Sequence, residues 1–324
     1  MTAVGTRRSG HFGGGPGTAV DMTTALGSAP LVGPVLTASG CSAFGRELEP
    51  FVDLTGLGAV VTKSVQLRPR SGRPTPRMAE TPSGMINSIG LQGPGIDGLL
   101  DGELPWLAER GVPAFVSIAG TRVEDFAELA TRLRGVPGVL GLEVNISCPN
   151  VESRGEVFAC DPVAASDVVA AVRDAADPAQ PVYAKLSPDV TDIVSVARAV
   201  TGAGADGLSM INTLLGLVID PGTMKPVLGG VTGGLSGPAV RPVAVRCVWQ
   251  VHAALPEVPI LGMGGIRNGL DALQFVLAGA SAVSVGTAVF NDPSATARVH
   301  RELAGALAER GFSSLREAVG YAHR

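Results

Sequence analysis

One cysteine stands where an apolar stretch of the sequence turns polar. Cys148 belongs to segment 145–150, which reads NISCPN and follows an apolar run. Alternation along a strand places Asn145 and Ser147 on one face, and Pro149 ends the strand just after Cys148. A thiol at such a rim can act as a general base when nearby cations or N–H donors lower its pKa from about 8.5. The common alternative is a buried structural cysteine, but the polar neighbours favour the base.

Two lysines end other apolar runs. Lys63 closes the run that begins at Val60, and Lys185 closes the run that begins at Val182. Desolvating an unpaired ammonium is costly, so each lysine is predicted to face an anionic ligand group; the alternative is a side chain that reaches solvent. A lysine on a barrel strand is also typical of a Schiff-base aldolase, which is the main chemical competitor.

Glycine pairs follow two further apolar runs near the end of the chain. Gly264 and Gly265 follow the run 260–263, and Gly286 with Thr287 follows the run 282–285. Glycine lets backbone N–H groups approach an anion closely, and the loops after the last two strands of a barrel often bind phosphate. The two turns therefore predict a phosphate site, with plain tight turns as the alternative.

Side-chain amides occur in two more polar strings. Asn212 and Thr213 end an apolar run, and segment 87–91 reads NSIGL. Amides and hydroxyls on neighbouring loops can read a flat ligand that has several carbonyl and N–H groups, although Asn and Thr also cap turns. These strings predict a small cyclic ligand beside the phosphate site.

Eight short apolar runs must position these residues, and each ends in small or polar residues. The runs are Val35–Ser39, Ala59–Ser64, Ala114–Ile118, Leu140–Ser147, Val182–Ser187, Leu208–Thr213, Ile260–Gly264 and Ala282–Gly286. Helical spacing of apolar residues lies between them, as in Phe126, Leu129, Ala130 and Leu133. The alternation predicts an α/β fold, a TIM (β/α)8 barrel, with an open flavodoxin-like sheet as the alternative.

The remaining segments define the domain plan. Two connections are too long for plain crossovers, roughly 66–94 after the second run and 214–237 after the sixth, and both are predicted to be long insertions at the end where barrel active sites lie. Residues 1–30 are rich in Gly, Thr and Ser and lack apolar periodicity. They are predicted to form a flexible N-terminal lead-in to a single catalytic domain over 31–324.

Composition and charge exclude several classes of protein. The 324 residues carry a formal charge of -4, with 45% hydrophobic and 17% charged residues. Scattered basic residues form no patch for nucleic acid, and no apolar run reaches the roughly 18 residues of a membrane span. The N-terminal segment lacks the apolar core of a secretory signal, so a cytoplasmic location is expected. The four histidines lie outside the motifs and the four cysteines form no paired metal pattern, so neither a histidine mechanism nor a metal site is predicted.

Taken together, these strings resemble the class 1 dihydroorotate dehydrogenases from about Leu31 to Tyr321. The matching strings are Ala38–Gly40, Thr62–Lys63, Pro74–Arg77, Asn87–Leu91, Asn145–Asn150, Lys185–Pro188, Asn212–Thr213, Gly233–Pro238, Gly264–Gly265 and Gly286–Thr287. Segments 145–151 and 210–213 are similar to the B subclass, whose members pass electrons to NAD through a partner subunit. The A subclass, which consists of fumarate-reducing homodimers, is less similar.

The resemblance implies an FMN-dependent oxidation of dihydroorotate to orotate in pyrimidine (UMP) biosynthesis. Cys148 would be the base at C5, the flavin would accept hydride from C6, and Lys185 would lie beside the flavin N1 edge. The FMN contacts it implies are Ser39, Lys63, Ser64, Ser117, Asn145, Lys185, Ile211, Gly237, Gly264, Gly265, Gly286 and Thr287. The substrate contacts it implies are Lys63, Asn87, Ser88, Ile89, Gly90, Leu91, Asn145, Asn212 and Thr213. Ser117 stands where the family usually has Asn. Because the serine side chain is shorter, its hydrogen bond to the flavin reaches less far or is absent.

The same resemblance implies a partner. Members of the B subclass work with an electron-transfer subunit carrying FAD and an iron–sulfur cluster, around a homodimer of barrels within a heterotetramer. The alternatives are a dihydropyrimidine dehydrogenase-like flavin domain, whose substrates lack the carboxylate, the A-type enzyme, the lysine-dependent aldolase and a non-catalytic binding protein. Cys160 is interpreted as a neighbour of Cys148 and not as the base.

Overall fold

The computed structural model describes residues 19–146 and 158–324, in which short strands alternate with helices. The strands are β1 (Thr24–Leu26), β2 (Ala29–Leu31), β3 (Val35–Thr37), β4 (Val60–Val61), β5 (Met78–Thr81), β6 (Gly84–Asn87), β7 (Ala114–Ile118), β8 (Val139–Val144), β9 (Val182–Leu186), β10 (Gly207–Met210), β11 (Leu214–Gly216), β12 (Ile219–Asp220), β13 (Lys225–Pro226), β14 (Gly233–Ser236), β15 (Ile260–Met263) and β16 (Ala282–Val285). Strands β7, β9, β15 and β16 are buried throughout and consist mainly of apolar residues, which suits strands covered on both faces.

Eight of these strands run parallel in the order β3-β16-β15-β10-β9-β8-β7-β4. The two end strands also meet: the Gly58 N–H donates to the Val35 carbonyl at 2.9 Å, and the Val61 N–H donates to Thr37 Oγ1 at 2.9 Å. The ring is therefore nearly closed. This confirms the predicted TIM barrel, because an open sheet would leave β3 and β4 apart.

The barrel wall separates two apolar cores. Leu36, Phe115, Tyr183 and Leu261 pack in the smaller core, where the rings of Phe115 and Tyr183 meet edge to face with their centroids 5.4 Å apart. The strand residues between them point the other way and pack against the helices in the larger core. Alternation along each strand thus decides which side chains can reach the barrel interior.

Helices cover the outer face of the barrel. They are α1 (Gly95–Gly98), α2 (Leu104–Glu109), α3 (Val123–Leu133), α4 (Pro162–Ala175), α5 (Ile193–Gly202), α6 (Arg241–Ala254), α7 (Gly269–Ala278), α8 (Ala295–Ala308) and α9 (Leu315–Ala318), with a π-helical turn over Leu99–Glu103 between the first two. Shorter 3-10 helices are Leu54–Gly56, Phe158–Cys160, Pro238–Val240, Thr287–Phe290 and Tyr321–His323. In α3 the buried residues are Phe126, Leu129, Ala130 and Leu133, which confirms the helical spacing predicted there.

Strands from both long connections form one antiparallel sheet. Its order is β11-β14-β6-β5, and Gly234 of β14 pairs with Asn87 of β6. The connections start just after β4 and β10, so this sheet lies at the carboxyl ends of the barrel strands. Its pairing brings the polar string 87–91 toward the end of β10, although the two segments are far apart in sequence.

A hairpin of β1 and β2 precedes the barrel. Thr24 Oγ1 donates to the Ser281 carbonyl at 2.9 Å, at the start of β16, and Leu26 and Leu31 join the smaller core. The hairpin therefore covers the amino-terminal end of the barrel, and the boundary placed at Leu31 falls inside it. Within 19–146 and 158–324, no helix is long and apolar enough to cross a membrane.

Candidate active site

The carboxyl ends of the barrel strands hold the predicted functional residues. Ser117 lies in β7 and Lys185 in β9, while Asn145 directly follows β8. The others are Ser39 after β3, Lys63 and Ser64 after β4, Asn87–Leu91 at the end of β6 and beyond it, Ile211, Asn212 and Thr213 after β10, Gly237 after β14, Gly264 and Gly265 after β15, and Gly286 and Thr287 after β16. In barrel enzymes this end carries the active site, because the loops that start here can change in sequence and length without disturbing the core.

Two adjoining cavities open at this end. The glycine-lined cavity, of about 430 Å³, is bordered by Ile211, Gly237, Gly264, Gly265, Gly286 and Thr287. The amide-lined cavity, of about 200 Å³, is bordered by Lys63, Ser64, Asn87–Leu91 and Asn145. Ser39, Lys185, Asn212 and Thr213 border both cavities, so these share a wall. Every predicted site residue that the structure describes borders one cavity or the other, except Ser117.

Backbone conformation shapes the far end of the glycine-lined cavity. Gly264 and Gly265 have φ angles of +128° and +79°, which residues other than glycine rarely adopt. A Cβ on Gly265 would lie 2.6 Å from the Gly237 carbonyl oxygen, so no larger residue fits this approach. Thr287 Oγ1 and Ser236 Oγ lie 2.9 Å apart beside it. The result is a recess of backbone and hydroxyl groups that suits a small oxyanion.

A buried ion pair lies beneath the shared wall. Lys185 Nζ donates to Ser39 Oγ at 2.7 Å and lies 3.3 Å from Glu143 Oε1, with Glu143 fully buried and Lys185 only 4% exposed. Within the described chain, the second carboxylate oxygen of Glu143 has no hydrogen-bond partner. The anionic neighbour predicted for Lys185 is thus, in part, a side chain of the protein itself. Glu143 fixes the position of the ammonium at the junction of the two cavities.

Hydrogen bonds between side chains connect four strand ends. Ser64 Oγ and Ser117 Oγ lie 2.9 Å apart, and Asn145 Nδ2 donates to Ser64 Oγ at 3.0 Å. Asn212 Nδ2 reaches Asn145 Oδ1 at 3.5 Å. Ser117 therefore contacts Ser64 and supports Asn145 through it, without reaching either cavity. A longer Asn at this position would project further into the site.

A second thiol borders both cavities and was not predicted. Burial raises the pKa of the Cys41 thiol, while the ammonium groups of Lys185 and Lys63 lower it. A Cβ on Gly286 would come within 3.2 Å of Cys41 Sγ, so glycine makes room for this sulfur. The position of Cys41 directly after the polar end of the first apolar run was a signal that it could border the site.

Two charged residues of the site were also missed. Alternation along β8 places Glu143 on the same face as Asn145, and a carboxylate in an apolar run was a usable signal. Arg73 borders the amide-lined cavity from within the first long connection, where no periodic pattern indicated it. Contacts with segment 87–91 and with the second insertion bring this side chain to the site.

The predicted base, Cys148, lies outside the described residues. The described chain resumes at Phe158, and the Ala159 N–H donates to the Ile146 carbonyl at 3.0 Å. Cys160 is exposed, its Sγ lies 3.8 Å from the Asp189 carbonyl, and it borders neither cavity defined above. Burial, followed by the charge of Asp189, raises the pKa of its thiol.

The fold and the site together define a class: a TIM-barrel enzyme with an oxyanion recess next to a cavity bordered by amides and cations. A family model described as dihydroorotate dehydrogenase matches residues 22–307. The chain belongs to the dihydroorotate dehydrogenase family and is an oxidoreductase.

Bacterial relatives match over nearly the whole chain. The protein from Desulforudis audaxviator is 54% identical over 305 residues, covering 94% of this chain and 98% of the relative. The protein from Desulforamulus reducens is 51% identical over 304 residues, covering 94% and 99%. The protein from Pelobacter propionicus is 52% identical over 300 residues, covering 93% and 98%. All three relatives are named dihydroorotate dehydrogenase B (NAD(+)), catalytic subunit.

Proposed function

We propose that this chain oxidises dihydroorotate to orotate with FMN as its cofactor, in pyrimidine biosynthesis. The observation that carries the proposal is the pair of adjoining cavities. One ends in an oxyanion recess, and the other is bordered in the described chain by amides, hydroxyls and three cations but by no carboxylate. In the described chain no carboxylate pairs with Arg73, so a substrate that carries a carboxylate, such as dihydroorotate, fits this cavity better than a neutral dihydropyrimidine.

The residues present fit a flavin mononucleotide. Gly237, Gly264, Gly265, Gly286 and Thr287 would hold its single phosphate, because they border the recess and a Cβ at Gly265 would clash with the Gly237 carbonyl oxygen, so only glycine allows this close approach of the backbone. Lys185 and Ser39, on the shared wall, would contact the ring. Bound flavin would supply the hydride acceptor of the reaction.

The chain's own residues bind and orient the substrate and remove its proton. Lys63 and the string 87–91 hold the carboxylate and ring amides in the amide-lined cavity, and Asn145, Asn212 and Thr213 hold the opposite edge. The ammonium of Lys185 stabilises negative charge that develops at the shared wall, and Glu143 keeps that ammonium in place before the reaction begins.

Cys148 is the base that takes the C5 proton. In the sequence it lies two residues beyond Ile146 and three beyond Asn145. Asn145 borders the amide-lined cavity, and the Ala159 N–H donates to the Ile146 carbonyl at 3.0 Å, so the described residues next to Asn145 in the sequence and in space lie at the site. These contacts support Cys148 over the exposed Cys160, which borders neither cavity.

The cofactor is the first test. Purified chain is expected to be yellow, and heat-released cofactor is expected to run as FMN and not FAD, because the glycine-lined cavity ends in a recess for one phosphate and no dinucleotide fingerprint follows a strand. Chromatography of the released flavin against both standards measures this. Stoichiometric FAD, or a chain that stays colourless after incubation with FMN, would contradict the assignment.

We assign the B subclass, in which electrons leave through a second protein. The relatives' names specify a catalytic subunit and NAD, and this chain carries no Rossmann fingerprint for binding the nicotinamide nucleotide itself. Exposed apolar side chains suited to a protein contact occur in the second insertion, at Leu215, Leu217, Ile219, Met224 and Val231. They support docking of an electron-transfer subunit carrying FAD and an iron–sulfur cluster, or of a second barrel.

The acceptor distinguishes the subclasses. With dihydroorotate, the isolated chain is expected to reduce artificial dyes or quinone analogues but not NAD, because buried flavin cannot contact a nicotinamide that has no binding site. Initial rates with dye, NAD and fumarate at equal enzyme concentration measure this. Rapid NAD reduction by the chain alone would refute the need for a partner, and rapid fumarate reduction would move the chain to the A subclass.

A further inference from the structure

The charge of the amide-lined cavity is unbalanced. Its described border holds Lys63, Arg73 and Lys185 and no Asp or Glu. Lys185 has a protein counter-ion, Glu143, on the barrel-interior side. Arg73 is partly buried, and a cation in such a place is costly unless an anion joins it, so this residue indicates an anionic ligand.

Arg73 joins three segments at the edge of this cavity. Its backbone N–H donates to the Ile89 carbonyl at 2.9 Å, and its Nη1 donates to Ser88 Oγ at 3.3 Å and to the Gly230 carbonyl at 3.2 Å. The first two acceptors belong to the predicted substrate string, and the third belongs to the second insertion. The guanidinium is therefore fixed where the two insertions meet.

Arg73 packs closely against Gly230 and Gly90, where a side chain would clash with it. A Cβ on Gly230 would lie 2.6 Å from Arg73 Nη1, and a Cβ on Gly90 would lie 2.7 Å from Arg73 Cγ. Gly90 also has a φ angle of +79°. Two glycines thus accommodate the arginine, one in each insertion.

Part of the guanidinium remains available to a ligand. Over residues 19–146 and 158–324, hydrogen bonds from the Arg73 guanidinium use Nη1 alone, and no carboxylate forms an ion pair with Arg73. Arg77, four residues on, instead donates from all three of its nitrogens to protein acceptors, namely the Arg73 and Ser71 carbonyls and the Gln92 side chain. A guanidinium with open donors matches a carboxylate in geometry and charge.

We infer that Arg73 is a specificity-determining residue that binds the carboxylate of the substrate, together with Lys63. The inference rests on the proposed function, since it takes the ligand to be a cyclic amide carrying a carboxylate. Arg73 selects such rings over neutral pyrimidines of the same shape. Its hydrogen bonds to Ser88 and Gly230 position the guanidinium before the ligand arrives.

The test compares Arg73→Gln with Arg68→Gln as flavin-loaded proteins. Arg68 is exposed on the same connection and borders none of these cavities, so its replacement makes the same charge change away from the site. Kd values for orotate and for uracil, which lacks the carboxylate, are measured by calorimetry and by perturbation of the flavin spectrum. Orotate binding is repeated at low and high salt, and thermal unfolding of each variant reports folding.

Arg73→Gln is expected to raise the orotate Kd by about tenfold, to leave the uracil Kd unchanged and to reduce the salt dependence of orotate binding. Arg68→Gln is expected to behave as wild type. An orotate Kd and salt dependence like those of wild type in Arg73→Gln would overturn the inference, and so would an equal loss for orotate and uracil, which marks a merely structural role. A wild-type chain that binds neither ligand would instead overturn the proposed function.

Discussion

Replacing Cys148 by alanine is expected to slow flavin reduction by dihydroorotate by at least about 100-fold, with FMN still bound. The physical reason is that a positioned general base contributes a factor of this size or more, while the residues proposed to hold FMN do not include Cys148. Anaerobic stopped-flow measurement of flavin bleaching gives the rate, and the visible spectrum before mixing gives the FMN content.

Two other thiols serve as controls for this experiment. Cys160→Ala is expected to keep nearly the wild-type rate, because Cys160 is exposed and borders neither cavity. Cys41→Ala is expected to change flavin or ligand affinity more than the rate of reduction, because Cys41 borders both cavities. If either variant is as slow as Cys148→Ala with FMN fully bound, the base has been assigned to the wrong cysteine.

Replacing Lys185 by methionine is expected to lower the free energy of unfolding by about 3–5 kcal/mol. The change removes the ammonium 3.3 Å from the fully buried Glu143 carboxylate, whose second oxygen already lacks a hydrogen-bond partner in the described chain. An uncompensated buried charge costs more than the lost contacts. Urea unfolding followed by circular dichroism measures the effect.

A second substitution separates the buried charge from the loss of the lysine itself. The double variant Lys185→Met, Glu143→Gln is expected to recover much of the lost stability, because the glutamine amide carries no charge to bury. Lys225→Met is the matched control: this lysine is exposed in β13, so the change is expected to stay within about 0.5 kcal/mol of wild type. If the single Lys185→Met variant were as stable as the control, the buried charge of Glu143 would not cost the predicted free energy of unfolding.

The strands were predictable because their burial is simple. A parallel barrel buries both faces of each strand, so the runs read as continuous apolar segments, and β7 has the predicted bounds, Ala114–Ile118. Several other runs were predicted a few residues too long at their carboxyl ends, as with Val35–Ser39 against Val35–Thr37 in β3. Those last residues leave the sheet hydrogen bonds and border the cavities, which is a tertiary property.

The sequence by itself determined the eight-strand barrel and the order of its motifs, and every predicted site residue in the described chain except Ser117 borders one of the two cavities. The barrel and the motifs at its strand ends follow from periodicity and from polar residues, which are local properties, whereas the full set of cofactor and substrate contacts was implied by the family resemblance. Only the tertiary structure decided that Glu143 of β8 contacts Lys185 of the neighbouring β9, that Cys41 borders both cavities and that Arg73 reaches Ser88 and Gly230. The hydrogen bonds of Arg73 join residues 15 and 157 positions apart, and strand pairing in the barrel and packing of the insertions set these distances. No local pattern carries such information.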